Sequence, residues 1–134
     1  YAQTAKDALK ATCIEALEYA TKQNSGIAGK DVLAFATASL GSKAPRVKWE
    51  SAKVIGNIAH LFPKNLDEPI RKLLDNTTDT GTVVRWSAAF ALGEIIKLKT
   101  LHNKQLIPAV ENISIQEEKH SIKKIYQAAL KLIR

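Results

Sequence analysis

Three histidines, one cysteine and thirteen carboxylates are the side chains of this 134-residue chain that could do acid–base, nucleophilic or metal chemistry. Their spacing does not assemble them. His60, His102 and His120 lie far apart, and none has metal-ligand spacing to Cys13 or to paired carboxylates. There is no Gly-rich phosphate loop, no Gly-x-Ser-x-Gly elbow and no His-Glu-x-x-His helix. Cys13 shares an apolar stripe with Leu9 and Leu17, which predicts a small core residue rather than a nucleophile. The expectation is a chain with no catalytic residue, no metal ligand and no cofactor, and not an enzyme.

What remains is recognition chemistry, carried by aromatic and cationic side chains that recur. Residues 47–61, VKWESAKVIGNIAHL, align with 84–98, VRWSAAFALGEIIKL, at an offset of 37 residues. The identities are Val47/Val84, Trp49/Trp86, Ala52/Ala89, Gly56/Gly93, Ile58/Ile95 and Leu61/Leu98. Self-similarity at a fixed period of this size marks stacked helical repeats. Carried forward, the offset places Ile125, Ala129, Leu132 and Ile133 at the positions of Ala88, Leu92, Ile95 and Ile96. Carried backward with one residue of slippage, it reaches Leu9, Ile14, Leu17 and Ala20.

Shorter helices are predicted between these long ones. Val32, Leu33, Ala36 and Leu40 form one apolar stripe, closed by Gly41. Leu66, Ile70, Leu73 and Leu74 form a second, opened by a capping box at Asn65–Glu68 with Pro69 in the first turn. Leu106, Val110 and Ile113 form a third. A capping box at Ser114–Glu117 is expected to open the last helix, and Pro45 suits a first turn. No segment alternates like a half-buried strand. The expectation is seven helices in one all-α domain, divided into a half repeat at 1–24 and units at 27–62, 65–99 and 102–134.

The segment from Asp79 to Ile95 resembles the second-helix signature of HEAT repeats: a turn Asp, then Val-Arg, paired Ala positions, Leu-Gly and Ile, here Asp79, Val84, Arg85, Ala88, Leu92, Gly93 and Ile95. The 47–61 helix matches with Ser42 in place of the Asp. The period is shorter than the roughly 40–47 residues of HEAT and armadillo arrays. The resemblance implies a right-handed α-α superhelix, a solenoid of stacked hairpins whose second helices line a concave face. It also implies that Lys48 and Arg85 tie helix to turn, with Arg85 reaching Asp79.

At about 100° per residue, Trp86, Phe90, Gly93 and Lys97 fall opposite the core side of their helix. The equivalents are Trp49, Lys53, Gly56 and His60 before, and Lys123, Gln127, Leu130 and Arg134 after. The candidate partner-binding set is thus Trp49, Lys53, His60, Trp86, Phe90, Lys97, Lys123 and Gln127. Either the tryptophans pack between repeats, or they anchor a partner in a groove. The three long helices from 46 to 62, 83 to 100 and 117 to 134 together carry the whole net charge of +7, which favours an acidic protein or peptide, or nucleic acid.

Composition bounds the rest. No apolar run approaches the ~20 residues of a membrane-spanning helix, so no membrane partner is expected. One cysteine forms no internal disulfide, the first residues lack a signal-peptide pattern, and a cytoplasmic origin follows. Methionine is absent even at position 1, from which a piece of a longer chain is expected. The leading function is a non-catalytic scaffold that holds a protein or peptide in a basic, aromatic-bearing groove. The alternative is a nucleic-acid-binding domain like the HEAT-like DNA alkylation-repair glycosylases. The catalytic Asp of those enzymes has no counterpart here, since only Glu50 and Glu94 are acidic on the two Trp-bearing helices.

Overall fold

A computed structural model describes residues 2–134, with side chains from residue 5 onward. Its helices are α1 (Ala2–Gln23), α2 (Lys30–Ser39), α3 (Pro45–Ile58), α4 (Asp67–Asn76), α5 (Thr82–Lys97), α6 (Asn103–Gln116) and α7 (His120–Ile133). Short 3-10 turns follow α1 and α3, and no strand occurs among the described residues. The fold is all-α.

The long helices form one layer in chain order. α3 packs along both α1 and α5, and α5 packs along α7. α2, α4 and α6 lie over α3, α5 and α7; α2 and α4 are the shorter helices expected there, whereas α6 equals α3 and α7 in length. Each hairpin alone would leave an apolar face in water, so stacking supplies the missing partner. The core runs between the layers through Leu40, Val47, Ile55, Ile58, Leu73, Leu92, Ile95, Val110, Ile122 and Tyr126, all essentially buried.

Three turns use one device before the long helices. Ser42 Oγ accepts from the Ala44 N–H (3.1 Å), Asp79 Oδ1 from Gly81 (2.8 Å) and Glu117 Oε2 from Lys119 (2.9 Å). Ala44, Gly81 and Lys119 are the extended N-cap residues of α3, α5 and α7. A side chain two residues upstream thus orients each cap. This corrects both expected capping boxes. Ser114 lies buried inside α6, and Glu117 sits in the turn that follows it. At α4 the N-cap is Leu66, with no side-chain bond. Glu68 pairs instead with Arg71 on its own helix.

The same turns fix the register. Ala44 to Gly81 is 37 residues, whereas Gly81 to Lys119 is 38. The burial pattern agrees: Val84, Ala88, Ala91 and Leu92 correspond to Ile122, Tyr126, Ala129 and Leu130, all buried. The 37-residue extrapolation into the last repeat is therefore off by one. Leu132, which it placed at a core position, is 66% exposed.

α1 is also rotated from expectation. Ala11, Ile14 and Thr21 are buried, while Leu9 and Cys13 face solvent. The helix carries apolar residues on two sides, so periodicity could not choose the one α3 covers.

Candidate binding face

The glycines shared by α3 and α5 fall opposite the core side of their helices by phase alone. Both are buried, where one long helix meets the next. A Cβ on Gly56 would overlap the edge of the Phe90 ring, with Cδ2 at 2.9 Å and Cζ at 3.2 Å. A Cβ on Gly93 would meet the Ala129 Cβ at 3.4 Å. Gly56 thus makes the slot in which Phe90 lies. Phe90 in turn stacks on Trp86, with ring centroids 6.0 Å apart and planes within 4°. That geometry is an offset-stacked pair. Trp86 remains 39% exposed, while Phe90 and Trp49 are half-buried.

These three rings lie on the face of the long-helix layer turned away from α2, α4 and α6, called the open face below. The phase of each helix requires it: Val47, Ser51, Val54 and Ile58 are buried on the opposite side of α3, as are Val84, Ala88, Ala91 and Ile95 on α5. The stacked pair is Trp86 with Phe90 on one helix, not Trp49 with Trp86 across two.

The cations expected beside the rings are engaged locally. Lys53 Nζ lies 3.8 Å from Glu50 Oε1, and Lys97 Nζ lies 2.7 Å from Glu94 Oε2. His60 Nε2 lies 3.2 Å from Ser25 Oγ, at the edge of a polar cleft of about 410 Å³ that Asn57 and Glu94 also line. Lys123 and Gln127 do not join the stripe. With the 38-residue register they correspond to Arg85 and Ala89, and the stripe positions fall to Lys124 and Ala128. The structure therefore gathers Trp49, Lys53, Trp86, Phe90 and Lys97 on the open face. It sets His60 at one end and leaves Lys123 and Gln127 on the outer flank of α7.

Lys48 and Arg85 are structural, but Arg85 does not pair with the Asp79 carboxylate. Lys48 Nζ reaches Asp79 Oδ2 at 2.8 Å, and Arg85 Nε donates to Glu117 Oε1 at 2.9 Å. Each base near the start of a long helix holds the turn acid of the following repeat. Arg85 meets Asp79 only through its main-chain carbonyl, at 3.0 Å. Burial raises the pKa of both acids, but the hydrogen bonds outweigh it. Lys48 and the Gly81 N–H hold Asp79 below the usual carboxylate range. The Lys119 N–H and Arg85 do the same for Glu117. Burial, and then the Glu117 charge, push the Tyr126 hydroxyl in the adjoining core well above its ordinary value.

Two features were not legible in the sequence. Glu50 is only 6% exposed; its Oε1 accepts from Trp49 Nε1 at 3.1 Å, and its Oε2 has no hydrogen-bond partner among the described residues. Nothing in a Trp-Glu pair announces a buried carboxylate. On the opposite surface, a groove of about 470 Å³ opens between α4 and α6, lined by Ile70, Leu74, Leu101 and Leu106. His102 Nδ1 lies 3.3 Å from Asp67 Oδ1 beside it. Exposed Leu101 beside a helix start was the available signal.

Among the described residues no group of three or more His, Cys, Asp or Glu is placed to hold a metal ion. None of their helices is long and apolar enough to cross a membrane. No family model, curated protein or solved structure matches this chain.

Proposed function

We propose that the chain is a non-catalytic binding module, a short HEAT-like solenoid that holds a protein or peptide segment on its open face. One observation carries the reading: a stacked Trp86–Phe90 pair, braced in the Gly56 slot, stands partly exposed on the same face as Trp49. Rigid aromatic surface costs little side-chain entropy to bind, and such anchors dominate protein interfaces. The glycine slot fixes the Phe90 ring before any partner arrives, so little ordering is left to the binding step.

The local ion pairs refine the chemistry. Lys53 and Lys97 are offset by Glu50 and Glu94, so the aromatic stripe is less basic than its lysine content. That favours an apolar or mixed segment with a rim of acidic residues over a strongly acidic one. It also weakens the nucleic-acid alternative, which needs unpaired cations to release counterions.

The test is selection of a displayed peptide library on the wild-type protein, followed by affinity measurement on variants. Trp86→Ala and Phe90→Ala are each expected to weaken the selected peptides at least tenfold. Lys123→Ala and Gln127→Ala are expected to change binding less than twofold. Peptides that bind the two aromatic variants as tightly as wild type would overturn the assignment.

A further inference from the structure

The three side-by-side junctions of the long-helix layer are not equivalent, and the difference points to one helix. At α3–α5 and α5–α7 a base on the earlier helix grips a turn acid of the later repeat, through Lys48–Asp79 and Arg85–Glu117. These pairs are largely shielded: the side chains are 21% and 18% exposed in the first, 20% and 4% in the second. At α1–α3 the corresponding turn residue is Ser42, which has no charge to grip. The cross-junction ion pair there, Arg46–Glu15, stands in solvent, with side chains 40% and 57% exposed. Such exposed pairs contribute little.

The same junction buries Glu50. Asn57 donates to the Glu18 carbonyl and the Thr21 hydroxyl of α1, and Arg46 reaches Glu15. Glu50 lies four residues after Arg46 and seven before Asn57, so it shares the side of α3 that α1 covers. Its repeat equivalent on α5 is Ser87, whose buried hydroxyl donates to the Val84 carbonyl. Serine there is satisfied within its own helix. Glutamate in its place carries one oxygen shut away from water without a donor among the described residues. An unpaired buried polar group of this kind opposes the docking that buries it.

We propose that α1 is a detachable helix: it leaves α3 as a unit while α2–α7 stay folded, and Glu50 sets how readily it does so. Undocking returns Glu50 Oε2 to water and exposes the α1 side of α3. It also reaches the open face, because Glu50 Oε1 holds the Trp49 indole N–H. Resting on the binding role proposed above, α1 docking then controls the orientation of one anchor ring. The opening itself is independent of that role.

Native-state hydrogen exchange of the full chain without any partner tests the opening, read at mid-helix amides so that end fraying does not contribute. Amides from Ala11 to Leu17 are expected to exchange at least tenfold faster than those from Ala52 to Ile58 and from Ala89 to Ile95. α7, the other outermost helix of the layer, is the control and is expected to exchange like α5. Glu50→Ser, which copies Ser87, and Glu50→Gln, which keeps the volume and removes the charge, are each expected to slow α1 exchange severalfold while leaving α5 and α7 unchanged. Equal protection of α1 and α5 in the wild type would overturn the proposal. So would α1 exchange that neither variant slows. Peptide binding plays no part in this readout, so failure here and failure of the binding role are separate results.

Discussion

Gly56 and Gly93 occupy equivalent positions in two repeats, yet alanine should act on them in opposite directions. A methyl at Gly56 enters the Phe90 ring edge. Restoring an ordinary contact of about 3.4 Å to the nearest ring atom, Phe90 Cε2, requires the ring to shift by about an ångström. An overlap of this size falls in the upper part of the usual overpacking cost, at about 2–3 kcal/mol. If the ring swings clear instead, the Trp86 stack is lost, at a cost of about 0.5–1.5 kcal/mol. Replacing a helical glycine returns only about 0.8–1.0 kcal/mol. The balance for Gly56→Ala is a loss of about 1–2 kcal/mol. At Gly93 the new methyl meets Ala129 Cβ at 3.4 Å and Ile125 Cγ2 at 3.9 Å, contacts that small adjustments absorb. There the helix gain survives, and Gly93→Ala should be neutral or stabilising by up to about 1 kcal/mol. Thermal unfolding followed by circular dichroism should separate the two variants by roughly 4–12 °C, at about 4 °C per kcal/mol for a chain of this size. The mechanism adds a second requirement. In a Phe90→Ala background, Gly56→Ala should keep only its helix gain, because the ring it strikes is gone, and the coupling should reach about 2–3 kcal/mol. Equal midpoints for the two single variants, or a Gly56→Ala penalty that persists without Phe90, would refute the slot.

The turn acids predict a pH dependence. A carboxyl whose folded pKa lies below its unfolded value adds stability above the unfolded value and surrenders it as pH falls through the folded one. For Asp79 and Glu117 that loss begins below their ordinary values of 3.8 and 4.5. Arg85→Met should cost about 2–3 kcal/mol at neutral pH by leaving Glu117 buried without its base. It should also flatten the acid limb of a urea-midpoint-against-pH curve. An unchanged acid limb would show that Arg85 does not hold Glu117. Lys99 is the one non-glycine residue with positive φ among the described residues, at 55°, just past the end of α5. Lys99→Gly should therefore raise stability by about 0.5–1 kcal/mol in urea titration, whereas a loss would show that the lysine side chain matters more than its backbone.

The sequence by itself determined the all-α architecture, the number of helices and the alternation of repeated helices with intervening ones, though the intervening α6 is as long as α3 and α7. Apolar spacing near 3.6 residues and repetition of one helix are local properties, and both are written along the chain. It also set Trp49, Trp86 and Phe90 on the side of their helices opposite the core, because phase on a helix follows from position alone. Three things were decided only by packing. The first is the face of α1 that is covered: Leu9 and Cys13 compete with Ala11 and Ile14, and the choice belongs to α3. The second is the register of the last repeat. One added residue near Glu117 moves Lys123 and Gln127 off the shared stripe, and only the turn geometry shows where it falls. The third is the fate of charge. Lys53 and Lys97 read as a basic stripe and Lys48 and Arg85 as ties from helix to turn, yet all four meet a carboxylate, and those of Lys48 and Arg85 come from a turn more than thirty residues away. A helical wheel fixes direction around one axis. Which neighbour lies in that direction, and whether it brings a methyl, a ring or a carboxylate, is a property of the stack.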